Sequence, residues 1–177
     1  MLTRVDYSDI PPGTDLPRVV NVIVEIPKGR RSKFEVDKKT GLMRLDRYLY
    51  SSSHYPGDYG FIPQTLAEDG DPLDVLVLVD EPTFPGCHIL VRPLGLFWMQ
   101  DEAGPDAKVL TVPTTDPRWE GIDNIDGVPP FILQEIENFF EIYKTLEPGK
   151  GTHTAGWQGR VEAEKAFEDA RRRYQEE

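Results

Sequence analysis

The sequence predicts an α+β fold that is mainly β, an antiparallel barrel with helices on one side. Three observations carry this reading. About six short runs of strand character come first in the chain. Two runs of helical spacing follow them, so strands and helices are segregated along the sequence. The long strand Ile89 to Met99 holds Pro93 and Gly95, which suggest the bulge or bend that a closing sheet requires.

Residues 1–17 contain Pro11, Pro12, Gly13 and Pro17 and read as an irregular lead-in. Val19 to Ile26 reads as a strand ended by Pro27-Lys28-Gly29. Lys33 to Val36 and Leu42 to Tyr50 follow, joined by a hairpin turn at Lys39-Thr40-Gly41. Ser51 to Pro63 is rich in Tyr, Gly and Pro and reads as a loop. Leu73 to Val79, Ile89 to Met99 and Ala107 to Val112 complete the strands. The first helix, Phe131 to Leu146, places Ile132, Ile136, Phe139, Phe140 and Tyr143 at helical spacing, with Pro129-Pro130 at its start and Gly149 past its end. The second, Arg160 to Tyr174, carries Ala163, Phe167, Ala170 and Tyr174 on one stripe and predicts the pairs Glu168–Arg172 and Asp169–Arg173. The 177 residues are read as a single domain, 1–177.

The net charge of −11 argues against a nucleic-acid partner, which would need a basic face. No apolar run approaches the ~18 residues of a membrane span, so no membrane partner is expected. The first fifteen residues carry Asp6, Asp9 and Asp15 without an apolar core, unlike a signal peptide. The single cysteine, Cys87, excludes an intrachain disulfide and fits a reducing compartment. A cytoplasmic location follows as the expectation.

The chemistry concentrates in Asp69-Gly70-Asp71-Pro72-Leu73-Asp74. Three carboxylates in six residues repel one another, and a hard divalent cation such as Mg²⁺ reverses that cost. In extended backbone Asp69 and Asp71 project to one side, and Pro72 can turn the chain to bring Asp74 to them. An EF-hand loop does not fit, because the sixth and twelfth places from Asp69 hold Asp74 and Asp80. A second acidic segment, Asp101 to Lys108, lies between predicted strands, where Gly104-Pro105 would form a hairpin loop returning Asp106 towards Asp101. Taken singly, each acidic turn is also explained as solvated surface. Cationic and hydroxyl groups shift the balance: Lys33 and Glu35 on one strand face, Arg47 among apolar neighbours, Tyr55 and Tyr59 in the loop, and Tyr143-Lys144 near the helix end. Together they can hold a polyphosphate between metal ions and fixed donors. A larger-substrate phosphohydrolase and a metal-stabilised binding module remain as rivals. His54, His88 and His153 are too scattered for a zinc site.

In order, Val24-Glu25-Ile26-Pro27, Lys33-Phe34-Glu35, Asp46-Arg47, Tyr55-Pro56-Gly57-Asp58-Tyr59-Gly60, Asp69 to Asp74, Asp101 to Lys108 and Phe139 to Lys144 resemble the family I soluble inorganic pyrophosphatases of the bacterial short-chain type. The resemblance runs from about Val19 to Trp157. It implies a five-stranded OB-like β-barrel with flanking helices, Mg²⁺-dependent hydrolysis of pyrophosphate, and a homohexamer. It further implies that Asp69, Asp74 and Asp106 bind the tight metal pair, with Asp74 bridging, and that Asp71 is the general base. Asp101 and Asp106 would take metals arriving with substrate, helped by Glu25 and Glu35. Lys33 and Tyr59 would donate to the electrophilic phosphate, and Arg47, Tyr143 and Lys144 to the leaving phosphate. Tyr55, Glu102 and Lys108 match supporting positions. Two departures stand out. Asn138 and Ile142 replace histidines common near a subunit contact, and Gly151-Thr152-His153-Thr154 lacks the usual apolar segment before Gly156-Trp157.

Overall fold

The computed structural model describes residues 6–177. The first five residues of the lead-in, and that part of the stretch read as unlike a signal peptide, lie outside the described residues. The rest of the lead-in is less irregular than expected. Asp6 caps a short turn at Tyr7–Asp9, and β1 (Gly13–Asp15) pairs antiparallel with β2 (Val19–Ile26).

Next come β3 (Ser32–Val36), β4 (Met43–Tyr48), β5 (Asp58–Phe61), β6 (Asp74–Val77), β7 (His88–Asp101) and β8 (Gly104–Pro113). Four of these close into a ring with β2, in the order β2-β5-β6-β8-β7, because β2 pairs with both β5 and β7. Counted along the chain, the ring order is first, second, third, fifth, fourth, an OB-like arrangement. The ring is not wholly antiparallel, since β6 and β8 run parallel, and β3–β4 forms a separate two-stranded sheet.

The predicted loop Ser51 to Pro63 contains the ring strand β5. Its residues Asp58 and Gly60 hid it, as both are poor strand formers. Gly60 is needed because a Cβ there would lie 2.0 Å from the Ile23 carbonyl oxygen on β2. The fully buried Asp58 carboxylate is satisfied by distant loops, accepting from Lys28 N at 2.8 Å and Thr83 Oγ1 at 2.6 Å.

The predicted bulge is present between Pro93 and Gly95. It flips the alternation, so Val91 before it and Leu96 after it both join the core that α2 (Arg160–Glu176) covers with Ala163, Phe167 and Ala170. The opposite faces of the strands supply Leu76, Phe97, Met99 and Leu110 to a second core, closed by Ile136, Phe139 and Phe140 of α1 (Pro130–Ile142). Helix α1 ends four residues earlier than predicted. Pro148 cannot accept a continuing helix, and residues 143–149 wind down through tight turns such as Glu147 N to Lys144 O.

Strand β9 (His153–Gly159) was not predicted and pairs with β7. It lies in the segment that lacks the family's apolar residues. Threonines tether it instead: Thr152 Oγ1 donates to Phe140 O at 2.5 Å and Thr154 Oγ1 to Glu141 Oε1 at 2.9 Å. On α2 the expected i,i+4 pairs do not form. Arg172 bonds Asp169 at 2.6 Å, while Arg173 reaches off the helix to Glu68 at 3.3 Å.

Candidate active site

Strand register gathers the site. Asp74 on β6 sits opposite Lys108 on β8, and Asp106 lies opposite Met99 on β7, so all three polar side chains join the face that carries the α1 core. Tyr59 on β5 reaches the same face opposite Leu76. The Lys108 ammonium, almost fully buried, donates to Asp74 Oδ2 at 2.5 Å and to Asp106 Oδ1 at 2.7 Å. Tyr59 Oη donates to the same Asp74 Oδ2 at 2.6 Å.

The electrostatics record crowded negative charge. Burial pushes the Asp106 carboxyl up to about 6, against the pull of Lys108 and with further push from Asp74 and Asp69. Burial likewise raises Asp69, and the carboxylates of Asp74 and Asp71 add to it. Lys108 itself is held protonated: burial opposes its charge, but Asp74 and Asp106 outweigh that. Burial raises the phenols of Tyr55 and Tyr59 well above their ordinary range, and that of Tyr143 also, so all three stay protonated donors.

The Asp69–Asp74 segment is not extended, contrary to the sequence reading. Asp71 N donates to Asp69 Oδ1 at 3.0 Å, and Ala67 N to Asp71 O at 2.7 Å, so Asp69 to Asp71 form a tight turn. Asp69 stays close to the cluster, whereas the exposed Asp71 carboxylate accepts from Lys38 Nζ at 2.7 Å. The second acidic segment also differs. Its turn is Glu102-Ala103, and Gly104-Pro105 already belong to β8. Asp101 and Glu102 hold Lys144 Nζ at 2.7 and 3.3 Å. Burial works against the Asp101 charge, but the bonds from Lys144 and Ala103 N keep its pKa below the usual range.

The β3–β4 hairpin brings the remaining cations. Lys33 and Arg47 are cross-strand partners, and a bulge beside them leaves Asp46 between. Asp46 Oδ2 lies 2.5 Å from the Arg47 guanidinium and 3.5 Å from Lys33 Nζ. Glu147 holds the other edge of the guanidinium, with Nε and a terminal nitrogen each at 3.2 Å. Glu35 pairs with Arg44, and Lys33 Nζ is 3.9 Å away. Tyr55 is buried against Tyr59 and Phe139. Burial is the main cause of its raised pKa, with smaller effects from the charges of Lys108 and Asp74 on the ring strands and of Arg47 on the hairpin. Asp46, Glu147 and Lys38 had no assigned role in the sequence reading. Glu147 lies 100 residues from Arg47 in an unpredicted turn, and no local pattern connects them.

Glu25 on β2 accepts from Val36 N at 2.9 Å. Burial pushes its carboxyl up to about 7, with help from Asp74 and against the Val36 bond. An acid whose folded pKa is raised favours folding while protonated, so this stability is present below about pH 4.5 and lost as pH rises towards 7. In metal-free protein, Glu25→Gln should flatten that fall, by roughly 3 kcal/mol at the upper end. Urea unfolding in EDTA at both ends of the range reads the effect. Parallel stability curves for the two proteins would remove Glu25 as the titrating group.

Among the described residues, no three Asp, Glu, His or Cys side chains stand as a ready-made metal cage. The donor chemistry nevertheless fits a hard divalent cation. Asp69, Asp74 and Asp106 are carboxylates whose mutual repulsion Lys108 only partly balances.

The family model described as inorganic pyrophosphatase matches residues 22–175. The chain belongs to the inorganic pyrophosphatase family. It is 55% identical over 157 residues to an inorganic pyrophosphatase of Streptomyces coelicolor, covering 89% of this chain and 96% of the relative. It is 52% identical to one from Methanosarcina acetivorans, over 90% of this chain and 94% of that protein. The crystal structure of inorganic pyrophosphatase from Thermus thermophilus superposes with a TM-score of 0.94 at 45% identity, covering 97% of this chain and 99% of the other. The chain is an enzyme of this family, and its OB-like ring agrees with the family's solved structures. No helix among the described residues is long and apolar enough to cross a membrane.

Proposed function

We propose that this protein hydrolyses inorganic pyrophosphate to two orthophosphates in a Mg²⁺-dependent reaction in the cytoplasm, with Asp71 as general base. One observation carries the reading: Asp74 and Asp106 flank a single buried ammonium, with Asp69 beside them and more negative charge than that ammonium balances. Asp69, Asp74 and Asp106 would hold a tight pair of Mg²⁺ ions. Asp101 and Asp106 would receive ions arriving with the substrate, with Glu25 and Glu35 helping directly or through water. When bound, Mg²⁺ supplies positive charge to the phosphates and lowers the cost of ionising water.

The chain's own groups do the placing. Asp71 takes a proton from the attacking water at a carboxylate oxygen while a new P–O bond forms and the bridging P–O bond breaks. Lys33 and the protonated phenol of Tyr59 donate to the phosphate under attack. Arg47, Tyr143 and Lys144 donate to the leaving phosphate, which carries away the bond's electron pair as negative charge. Arg47 offers a planar, permanently charged fork whose orientation Glu147 and Asp46 fix in advance. Lys108 keeps Asp74 and Asp106 together, Glu102 helps to seat Lys144, and Tyr55 backs Tyr59. Phosphate release at saturating Mg²⁺ should be far faster from pyrophosphate than from ATP. Equal turnover of both would favour a larger-substrate phosphohydrolase.

The working assembly is proposed to be a homohexamer. Supporting this, α1 borders a groove of about 700 Å³ with an apolar floor of Trp119, Ile122, Ile132, Phe139 and Ile142 and charged walls that include Arg118 and Glu135, and Ile142 is 39% exposed. Ile142 stands where relatives often carry histidine, so this position adds no titrating group to the contact, and His54 is the one histidine on the groove wall. Light scattering after size exclusion should give six times 20.1 kDa across pH 5 to 8. A monomer near neutral pH would refute the assembly, and dissociation on mild acidification would refute the apolar contact.

A further inference from the structure

The β3–β4 hairpin stands outside the ring, yet it carries Lys33, Glu35 and Arg47. Its base is tied down by Leu49 N to Arg31 O at 2.8 Å, and the end of β3 just before the tip by Glu25, which accepts from Val36 N. Its tip is a well-formed turn. Asp37 Oδ1 accepts from Lys39 N and Thr40 N at 2.8 and 3.1 Å, and Gly41 takes the left-handed conformation at φ 71°. From that turn Lys38 extends to the Asp69–Asp74 loop, 33 residues along the chain, and meets Asp71 Oδ1 at 2.7 Å. This contact joins the two walls of the site, one bearing phosphate donors and the other bearing carboxylates.

We propose that Lys38 is a positioning residue, a latch that draws the hairpin tip onto the Asp71 loop and fixes the Asp71 carboxylate relative to Lys33 and Arg47. The proposal rests on the functional reading above for what Asp71 and the hairpin do. An exposed ion pair adds little to global stability. Its consequence lies in geometry, because misplacing a reacting group by about 1 Å can cost ~10²-fold in rate. Lys38→Gln keeps most of the side-chain length and removes the charge. Lys38→Arg keeps the charge and the reach.

The test compares pyrophosphate turnover and amide hydrogen exchange for the wild type, Lys38→Gln, Lys38→Arg, Asp71→Asn and the Lys38→Gln/Asp71→Asn double variant. Lys38→Gln should lower kcat on the order of 10-fold with an unchanged melting temperature. Amides of residues 34–45 should exchange faster, with those of the ring strands unchanged. Lys38→Arg should restore most of the rate and protection, and Lys38→Gln should cost little more in the Asp71→Asn background. Wild-type kcat and wild-type hairpin exchange in Lys38→Gln would overturn the latch, as would equal impairment by Gln and Arg. If Asp71→Asn loses turnover while Lys38→Gln does not, the latch alone fails. If Asp71→Asn keeps full turnover, the role of Asp71 as general base fails, and the hairpin exchange still decides the latch.

Discussion

Asp71→Asn should cut pyrophosphate turnover by roughly 10²-fold or more while leaving Mg²⁺ affinity largely unchanged. An amide of the same size keeps the turn and can still accept from Lys38, but it cannot take a proton from water. Asp71 is exposed and stands apart from the buried Lys108 pair, so water can reach its carboxylate. Asp74→Asn should behave in the opposite way. Asp74 lies at the centre, receiving both Lys108 and Tyr59 on one oxygen, and its charge raises the pKa of Asp69 and Asp106. Halving its capacity to bind a cation should weaken Mg²⁺ binding first, with the turnover loss partly recovered at high Mg²⁺. Isothermal titration beside steady-state kinetics separates the two. Metal loss in Asp71→Asn with retention in Asp74→Asn would reverse the assigned roles.

Much of this site was legible in sequence because carboxylates crowd at high cost only where something compensates them. The runs Asp69 to Asp74 and Asp101 to Lys108 were visible for that reason, and strand register brings Asp74, Asp106 and Lys108 together as a parallel and an antiparallel pairing meet on β8. The bulge at Pro93–Gly95 was equally legible, since proline cannot donate within a ladder. What stayed hidden depended on tertiary partners. Strand β5 is held by buried Asp58 and by the close approach at Gly60, neither of which carries strand propensity. Strand β9 forms because β7 offers an edge and two threonines tie it to the end of α1. Glu147 and Lys38 find Arg47 and Asp71 only after distant loops meet. On α2, Arg173 gains a carbonyl and a carboxylate outside its own helix, and Arg172 takes Asp169 in place of Glu168.

An anionic substrate entering among Asp69, Asp71, Asp74, Asp101 and Asp106, in a protein of net charge −11, needs added positive charge beyond that of Lys33, Arg47, Lys108 and Lys144. Three of those four cations are already within 2.7 Å of carboxylates, which leaves little to neutralise a diphosphate. The decisive measurement is phosphate release from pyrophosphate by the purified full chain, first in excess EDTA and then with Mg²⁺ added back. Release should stay at background with chelator and reach full, saturable turnover once Mg²⁺ exceeds it. Undiminished turnover in EDTA, or none after Mg²⁺ is restored, would rule out a Mg²⁺-dependent site.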